Sequence, residues 1–332
     1  MTKIAINGFG RIGRCVARAI VESGRDDIQL VAVNDLADPE NLAYLLRFDS
    51  VHGRFPGTVE VGDGTLDMGQ GKVRVSSERD IGSLDWEGVD IVLECTGLFT
   101  DRDAAARHLD RGAGKVLVSA PAKGGVKTVV YGVNHDTLDA NDKIVSNASC
   151  TTNALAPLAK ILHSEFGIQQ GFMTTIHAYT SNQPTLDRPS PKDWLRGRAA
   201  AINMVPTSTG AARAIGLVLP ELDGRLDGAA IRVPTPNVSV VDLCARLERT
   251  TDADAVNAAL SKAASGSLNG VMQVLAQSNV STDLNHDPHS CSIAPGETTV
   301  VGGDFVRVLG WYDNEWGFSN RMVDVARAMS AL

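Results

Sequence analysis

Eight consecutive residues near the middle of the chain, Ser146-Asn147-Ala148-Ser149-Cys150-Thr151-Thr152-Asn153, set one thiol among hydroxyls and amides. Lys143-Ile144-Val145 before them reads as the end of a strand. Ala154, Leu155, Ala156, Leu158, Ile161 and Leu162 after them are apolar at helical spacing. Cys150 therefore falls where a strand turns into a helix, with Ser149 placed to cap it. First-turn N–H groups and the helix dipole favour negative charge there, which lowers a thiol towards its reactive thiolate. A cysteine can also be a small buried apolar residue. A turn crowded with Ser, Thr and Asn is a poor place for that, so Cys150 is read as a nucleophile.

A nucleophilic thiol needs a group to take its proton and return it. Of the seven histidines, His177 stands at the end of the run Phe172-Met173-Thr174-Thr175-Ile176 and is followed by Thr180 and Ser181. His52, His108, His135 and His163 lie in segments that read as loop or exposed helix face. His286-Asp287-Pro288-His289 reads as a loop, because Pro separates the histidines and no further metal ligands accompany them, so no metal is assigned. Spacing alone does not bring His177 to Cys150. A local basic cluster adds a second chemistry: Arg196 and Arg198 close an irregular stretch, and Arg232 ends a strand. Thr207-Ser208-Thr209-Gly210-Ala211-Ala212 reads as a hydroxyl-rich turn entering a helix, an arrangement suited to anions. Two anion sites and a thiol suit a phosphorylated substrate and a second phosphate.

Near the N-terminus, Ile4-Ala5-Ile6 leads into Asn7-Gly8-Phe9-Gly10-Arg11-Ile12-Gly13, and Val16, Ile20 and Val21 then share one helical face. Strand, G-x-G-x-x-G and helix in that order form the dinucleotide fingerprint, so Gly8, Gly10, Arg11, Ile12 and Gly13 are candidate cofactor residues. The fingerprint also requires an acidic residue after a second strand, and Asp35 follows Ile28–Val33, 22 residues after Gly13. Its carboxylate suits the adenosine ribose. Asp38 and Glu40 lie nearby and no Arg or Lys falls between positions 26 and 46, which favours NAD over NADP. Thr96 and Ser119 sit just past strand ends, where open α/β sheets bind ligands.

These residues need two kinds of scaffold. Short apolar runs at 73–75, 91–93, 116–118 and 129–131, with a polar helical stretch at 101–111, indicate a parallel, doubly wound Rossmann-type sheet. After the Cys150 helix the alternation stops. Longer runs at 172–176, 230–233, 238–243 and 305–308, with helices at 253–264 and 320–329, indicate an α+β catalytic domain on a mixed or antiparallel sheet. Residues 181–202 carry three Pro dipeptides and little periodicity, so they read as a long irregular loop. A chain of 332 residues suits two domains, here 1–149 and 150–316, with helix 317–332 remaining. The formal charge of −8 counts against general nucleic-acid or anionic-membrane binding, and the five scattered cysteines suit a reducing compartment. The chain reads as soluble and cytoplasmic.

Together these residues resemble the phosphorylating glyceraldehyde-3-phosphate dehydrogenases. Ile4 to Arg14, Ser146 to Asn153, Pro206 to Ala212, Arg232 to Val238 and Trp311-Tyr312-Asp313-Asn314-Glu315-Trp316-Gly317 match that family's motifs, and the similarity runs end to end. The resemblance implies oxidative phosphorylation of glyceraldehyde 3-phosphate to 1,3-bisphosphoglycerate with NAD. It assigns Cys150 to a hemithioacetal and thioester, His177 to the base, and inorganic phosphate to the acyl acceptor. Thr180, Arg196 and Arg232 correspond to the site for the substrate's phosphate. Ser149, Thr151, Thr209 and Gly210 correspond to the site for the attacking phosphate, and Asn314 to the holder of the nicotinamide carboxamide. A homotetramer with the irregular loop at subunit contacts, and a terminal helix packed on the first domain, are implied as well.

Four features depart from the commonest family pattern: Ala154 for a second Cys, Leu195 for an Arg, Phe318 for a Tyr, and Ser181-Asn182 for Asn-Asp. Ala154 denies an oxidised Cys150 its usual neighbour. None removes a chemical role, although Leu195 trims the charge of the phosphate region. Erythrose-4-phosphate dehydrogenase is the nearest alternative and shares the Cys and His, but Thr180 and the hydroxyl-rich 206–212 turn favour the triose enzyme. A dinucleotide-sensing regulator without turnover is the other alternative, and retention of Cys150, His177 and both anion sets counts against it.

Overall fold

The apolar run Ile4-Ala5-Ile6 lies fully buried near the middle of a nine-stranded sheet in the computed structural model, which describes residues 1–191 and 193–332. The chain divides into two units. One contains Met1–Val129, His135–Ser149 and Ser319–Leu332, and the other contains Val130–Asn134 and Cys150–Phe318. No helix among the described residues is long and apolar enough to cross a membrane.

In the first unit the strands run, edge to edge, Lys127–Thr128, Ile144–Ser146, Lys115–Val118, Ile91–Glu94, Thr2–Asn7, Ile28–Asn34, Lys72–Ser76, Thr65–Asp67 and Glu60–Gly62. The first seven are parallel, and their apolar residues are nearly all buried, as a doubly covered sheet requires. The last two turn antiparallel through Asp63-Gly64, with Gly64 at φ 62. That hairpin departs from the all-parallel expectation. Its strands are short and polar, and only the Asp-Gly pair marks it in the sequence. The expected strand at 129–131 is instead Lys127–Thr128, and Val130 belongs to the other unit.

Trp86, Ile81, Leu84, Val89 and Val92 form one core cluster of this unit. Beside it lies a buried polar chain. The Trp86 indole N–H donates to His108 Nδ1 at 2.9 Å, so the His108 proton sits on Nε2, which faces Glu94 Oε2 at 3.0 Å. Asn7 donates to the same oxygen at 2.6 Å, and the Thr96 N–H donates to Oε1 at 2.8 Å. His108 was expected in a loop or on an exposed helix face, yet it is fully buried. Burial is tolerated because each of its ring nitrogens has a partner.

The second unit opens with helix Cys150–Phe166, buried along most of its length even at the polar residues Thr151, Thr152 and Asn153. Its sheet runs Val205–Ser208, Leu226–Val233, Ile168–Ala178, Ser239–Leu247, Phe305–Tyr312, Cys291–Ile293 and Met272–Val274, with Thr299–Val301 on Phe305–Tyr312. Two pairings are parallel and the rest antiparallel, which makes the sheet mixed. The strands run longer than the apolar runs that marked them. Gly171 and Arg246 continue the ladders where apolar patterning has already ended. Val238 does not begin its strand as expected. It sits at φ 64, costly for a β-branched residue, and the ladder starts at Ser239. Among the described residues of 181–202 there is one short turn of 3-10 helix, Leu195–Gly197.

Candidate active site

The fingerprint glycines do different jobs. Gly8 adopts φ 93, and a Cβ there would lie 2.7 Å from the Thr96 nitrogen. A Cβ on Gly13 would come within 2.2 Å of the Gly8 carbonyl, so helix Arg11–Glu22 packs this close only with glycine at that position. Gly10 has ordinary backbone and open space around it. The Phe9 N–H donates to Asp35 Oδ2 at 2.7 Å, which ties the loop to the end of the second strand. Gly8, Gly10, Asp35 and Thr96 line a cavity of about 280 Å³. Gly13 is buried and Ile12 half-buried in the first turn of the helix, and the Ser119 N–H continues the sheet by donating to Glu94 O. Arg11 pairs with Asp49. Burial raises the Asp49 carboxyl, but Arg11 and the His52 and Val51 N–H groups outweigh it and hold it down to about 2.

Sequence reasoning missed one cation here. Arg79 lines the same cavity, next to Glu78. It lies 44 positions beyond Asp35, outside any local window searched for a positive charge. An open glycine edge, a carboxylate at the second strand end and a concave wall fit the adenosine part of a dinucleotide.

In the second unit Cys150 begins the helix and His177 nearly ends strand Ile168–Ala178. Cys150 Sγ lies 3.5 Å from His177 Nε2. The chain reaches the thiol through Ala148, a non-glycine residue held at φ 56. The expected lowering of the thiol does not dominate. Burial pushes it up, and the Arg232 charge and Thr151 hydrogen bonds only oppose that rise. The same burial, together with Arg232, lowers His177 to about 3, against the pull of the Ala178 carbonyl. His177 is therefore neutral at pH 7, as a base must be.

Arg232 is brought to this pair by sheet register. It is the direct partner of His177 on the neighbouring parallel strand. Its Nη1 lies 2.6 Å from His177 Nδ1 and donates to the Ala178 carbonyl at 2.9 Å. Arg196, on the short 3-10 turn, donates to Thr207 Oγ1 at 2.9 Å and to Ser208 O at 3.2 Å. It also pairs with Asp193 at 3.2 Å, and its charge contributes less than Arg232 to the lowering of His177. Thr180 lies two residues past the same strand. Thr209 and Gly210 sit in a turn whose Ala211 carbonyl faces Thr152 Oγ1 at 3.5 Å, beside the start of the Cys150 helix. This turn was expected to enter a helix at once. Instead Val205–Ser208 is a strand, and only the four-residue helix Ile215–Val218 follows.

Three further residues carried no role in the sequence reading. The Tyr312 hydroxyl bridges Thr151 Oγ1 at 2.8 Å and Thr175 Oγ1 at 2.9 Å, and its ring stands edge-on to His177. Asp313 accepts from Asn237 and the N–H groups of His286, Glu315 and Trp316, which fixes the turn beside Asn314. Ser239 accepts from the Ala178 N–H and donates to Asn314 Oδ1 at 2.8 Å, leaving the Asn314 NH₂ end for other partners. Tyr312 and Asp313 lie inside the Trp311–Gly317 block. Their signal was present but silent about contacts. Cys95 and Cys291 are each pushed up to about 12 by burial, so neither competes with Cys150 as a thiolate.

A fingerprinted parallel sheet in one unit and a thiol–imidazole pair with arginines in the other define a nicotinamide-dinucleotide-dependent oxidoreductase. Residues 2–102 match the glyceraldehyde 3-phosphate dehydrogenase NAD binding domain, and residues 149–314 match the C-terminal domain of the same enzyme. Proteins named glyceraldehyde-3-phosphate dehydrogenase from Cereibacter sphaeroides and Xanthobacter flavus are 61% and 60% identical, each over 99% of both chains. One from Pseudomonas aeruginosa is 55% identical over 99% of this chain and 98% of its own. The chain belongs to the glyceraldehyde-3-phosphate dehydrogenase family, and its cofactor is NAD.

Proposed function

We propose that the chain oxidises glyceraldehyde 3-phosphate and hands the acyl group to inorganic phosphate, releasing 1,3-bisphosphoglycerate. The observation that carries this reading is the Cys150 Sγ–His177 Nε2 approach of 3.5 Å with Arg232 on the far ring nitrogen. His177 takes the thiol proton at Nε2 as sulfur bonds to the aldehyde carbon, and returns it to the new hydroxyl of the hemithioacetal. NAD, when bound, supplies the acceptor for the hydride of that carbon. His177 removes the hydroxyl proton in the same step, leaving a thioester on Cys150. A phosphate oxygen then attacks the acyl carbon, the C–S bond breaks, and sulfur leaves as thiolate.

Thr180, Arg196 and Arg232 hold the substrate's own phosphate in this reading. Ser149, Thr151, Thr209 and Gly210 hold the attacking phosphate. Gly8, Gly10, Arg11, Ile12, Gly13, Asp35, Thr96 and Ser119 serve the dinucleotide, and Asn314 its carboxamide. The exposed apolar residues Leu186, Trp194, Ile202 and Met204 in and beside the irregular loop support a homotetramer, checked by light scattering. Five free cysteines suit the cytoplasm.

The test is absorbance of NADH with glyceraldehyde 3-phosphate, with and without inorganic phosphate, run beside erythrose 4-phosphate and beside NADP. Sustained, phosphate-dependent turnover preferring the triose and NAD is expected. Phosphate-independent turnover or a preference for the tetrose transfers the assignment to erythrose-4-phosphate dehydrogenase. NAD binding without turnover on any aldehyde indicates a regulator.

A further inference from the structure

The residues His286-Asp287-Pro288-His289 take no part in the chemistry at Cys150, yet they are tied down closely. Asp287 Oδ1 accepts from the His289 N–H at 2.8 Å and lies 2.8 Å from His289 Nδ1. Asp287 Oδ2 accepts from Gln273 on strand Met272–Val274. Held this way, the loop meets residues that precede and follow Asn314. The His286 N–H donates to Asp313 Oδ2 at 2.7 Å. The His286 ring stacks on Trp316, with 3.7 Å between ring centroids and 20° between planes. The His289 carbonyl packs so closely on Gly317 that a Cβ there would lie 2.5 Å from its oxygen. His286 adopts φ 67, a left-handed backbone that glycine would hold without strain. The chain places an imidazole there instead, and the stack on Trp316 is what that ring supplies. Among the described residues the other non-glycine positions with positive φ are Ala148, two before Cys150, and Val238, directly before Ser239. Such strain persists where surrounding contacts impose it, and here it gathers at the site.

We propose that His286 is a positioning residue for Asn314: its N–H and its ring fix the turn at Asp313 and at Trp316, and so set the direction of the Asn314 amide. Ser239, the first residue of strand Ser239–Leu247, completes the arrangement. Its hydroxyl oxygen accepts the Ala178 N–H at 3.0 Å, so its proton goes to Asn314 Oδ1 at 2.8 Å. With Oδ1 engaged, the Asn314 NH₂ is the end that gives its hydrogens to a ligand acceptor. An amide held at both backbone and side chain offers those hydrogens in one direction. That suits a planar carboxamide whose ring must be presented at a fixed angle. Removing the imidazole loosens the turn at Trp316 and spreads that direction, which weakens the grip on the nicotinamide. His286 lies on neither the Cys150 helix nor the His177 strand, so the thiol–imidazole pair is left as it was.

This inference rests on the reading of Asn314 as the holder of the nicotinamide carboxamide, and Asn314→Ala tests that reading separately. NAD and ADP-ribose, which lacks the nicotinamide, are each titrated into the intact protein by calorimetry. The ratio of their affinities isolates the nicotinamide's share, and Asn314→Ala should lower it. His286→Gly removes the ring while keeping the N–H and relieving the backbone. It should lower the ratio by about fivefold, the scale of one lost aromatic pair. ADP-ribose affinity and the rate of Cys150 alkylation by iodoacetamide should stay within about twofold of the parent. His286→Phe returns a ring to Trp316 and should bring the ratio back to within about twofold. A ratio unchanged in His286→Gly but lowered in Asn314→Ala overturns the positioning role and leaves the Asn314 reading standing. So does a fall that His286→Phe does not repair, or an equal fall in ADP-ribose affinity. A ratio unchanged in Asn314→Ala overturns both.

Discussion

The first unit draws its proposed cofactor contacts mainly from one loop, Gly8 to Gly13, with Asp35 and Thr96 at the ends of nearby strands. The second gathers its site residues from a helix start, three strands and a short turn, with Cys150, His177, Arg196, Arg232 and Tyr312 spread over more than 160 positions. In the first, backbone shape decides whether a ligand fits. In the second, side-chain chemistry decides, and the backbone's task is to converge. The two should therefore fail differently when altered.

Cys150→Ser should give the sharpest separation. Turnover falls by on the order of 10³-fold or more, since a hydroxyl beside a neutral imidazole is a far weaker nucleophile. NAD binding, measured by calorimetry, stays within about twofold. Loss of both together would mean that the second unit is not chemically separable from the first.

His177→Asn comes next, with kcat lowered roughly 10²- to 10⁴-fold. It also has a signature in stability. His177 is held at about 3 in the folded chain against 6.5 for an ordinary imidazole. Between those values the unfolded chain binds a proton that the native site refuses, so stability rises with pH there and is lost as pH falls through that window. Urea midpoints at pH 4 and pH 7 should differ less in the Asn variant than in the parent. An equal difference would mean that the imidazole is not buried neutral.

The glycines sharpen the contrast within the first unit. Gly13→Ala forces a methyl against the Gly8 carbonyl and should cost about 1–3 kcal/mol as well as NAD affinity. Gly10→Ala meets open space and should leave the melting temperature unchanged, its effect confined to NAD affinity. Tyr312→Phe should cost as much stability as Gly13→Ala, about 1–3 kcal/mol by denaturant titration, because two buried threonine hydroxyls lose a shared partner while the ring still fills its place.

How much could be read in advance follows the same division. Glycine spacing, apolar strands and Asp35 lie within one stretch of sequence, so the first unit was legible apart from the Asp63-Gly64 hairpin, the edge strand Lys127–Thr128, buried His108 and Arg79. Cys150 announced itself through its neighbours. The position of His177 beside it did not, because only pairing between distant strands places the two. Burial then reversed the expected direction for the thiol, since a helix N-terminus is visible in a sequence and desolvation is not. His108 escaped for the same reason: its environment is set by Trp86 and Glu94, which no periodicity connects to it.

The pairing of His177 with Arg232 across one parallel ladder also bears on how such a chain can vary. Side chains alternate faces along a strand, so inserting or deleting one residue ahead of either position would turn that side chain to the other face and expose apolar residues with it. The ladder that orders the interior also orders the reacting groups. Descent can therefore exchange residues freely at their flanks and lengthen the loops between them, while the count of residues within these two strands is inherited as a single unit.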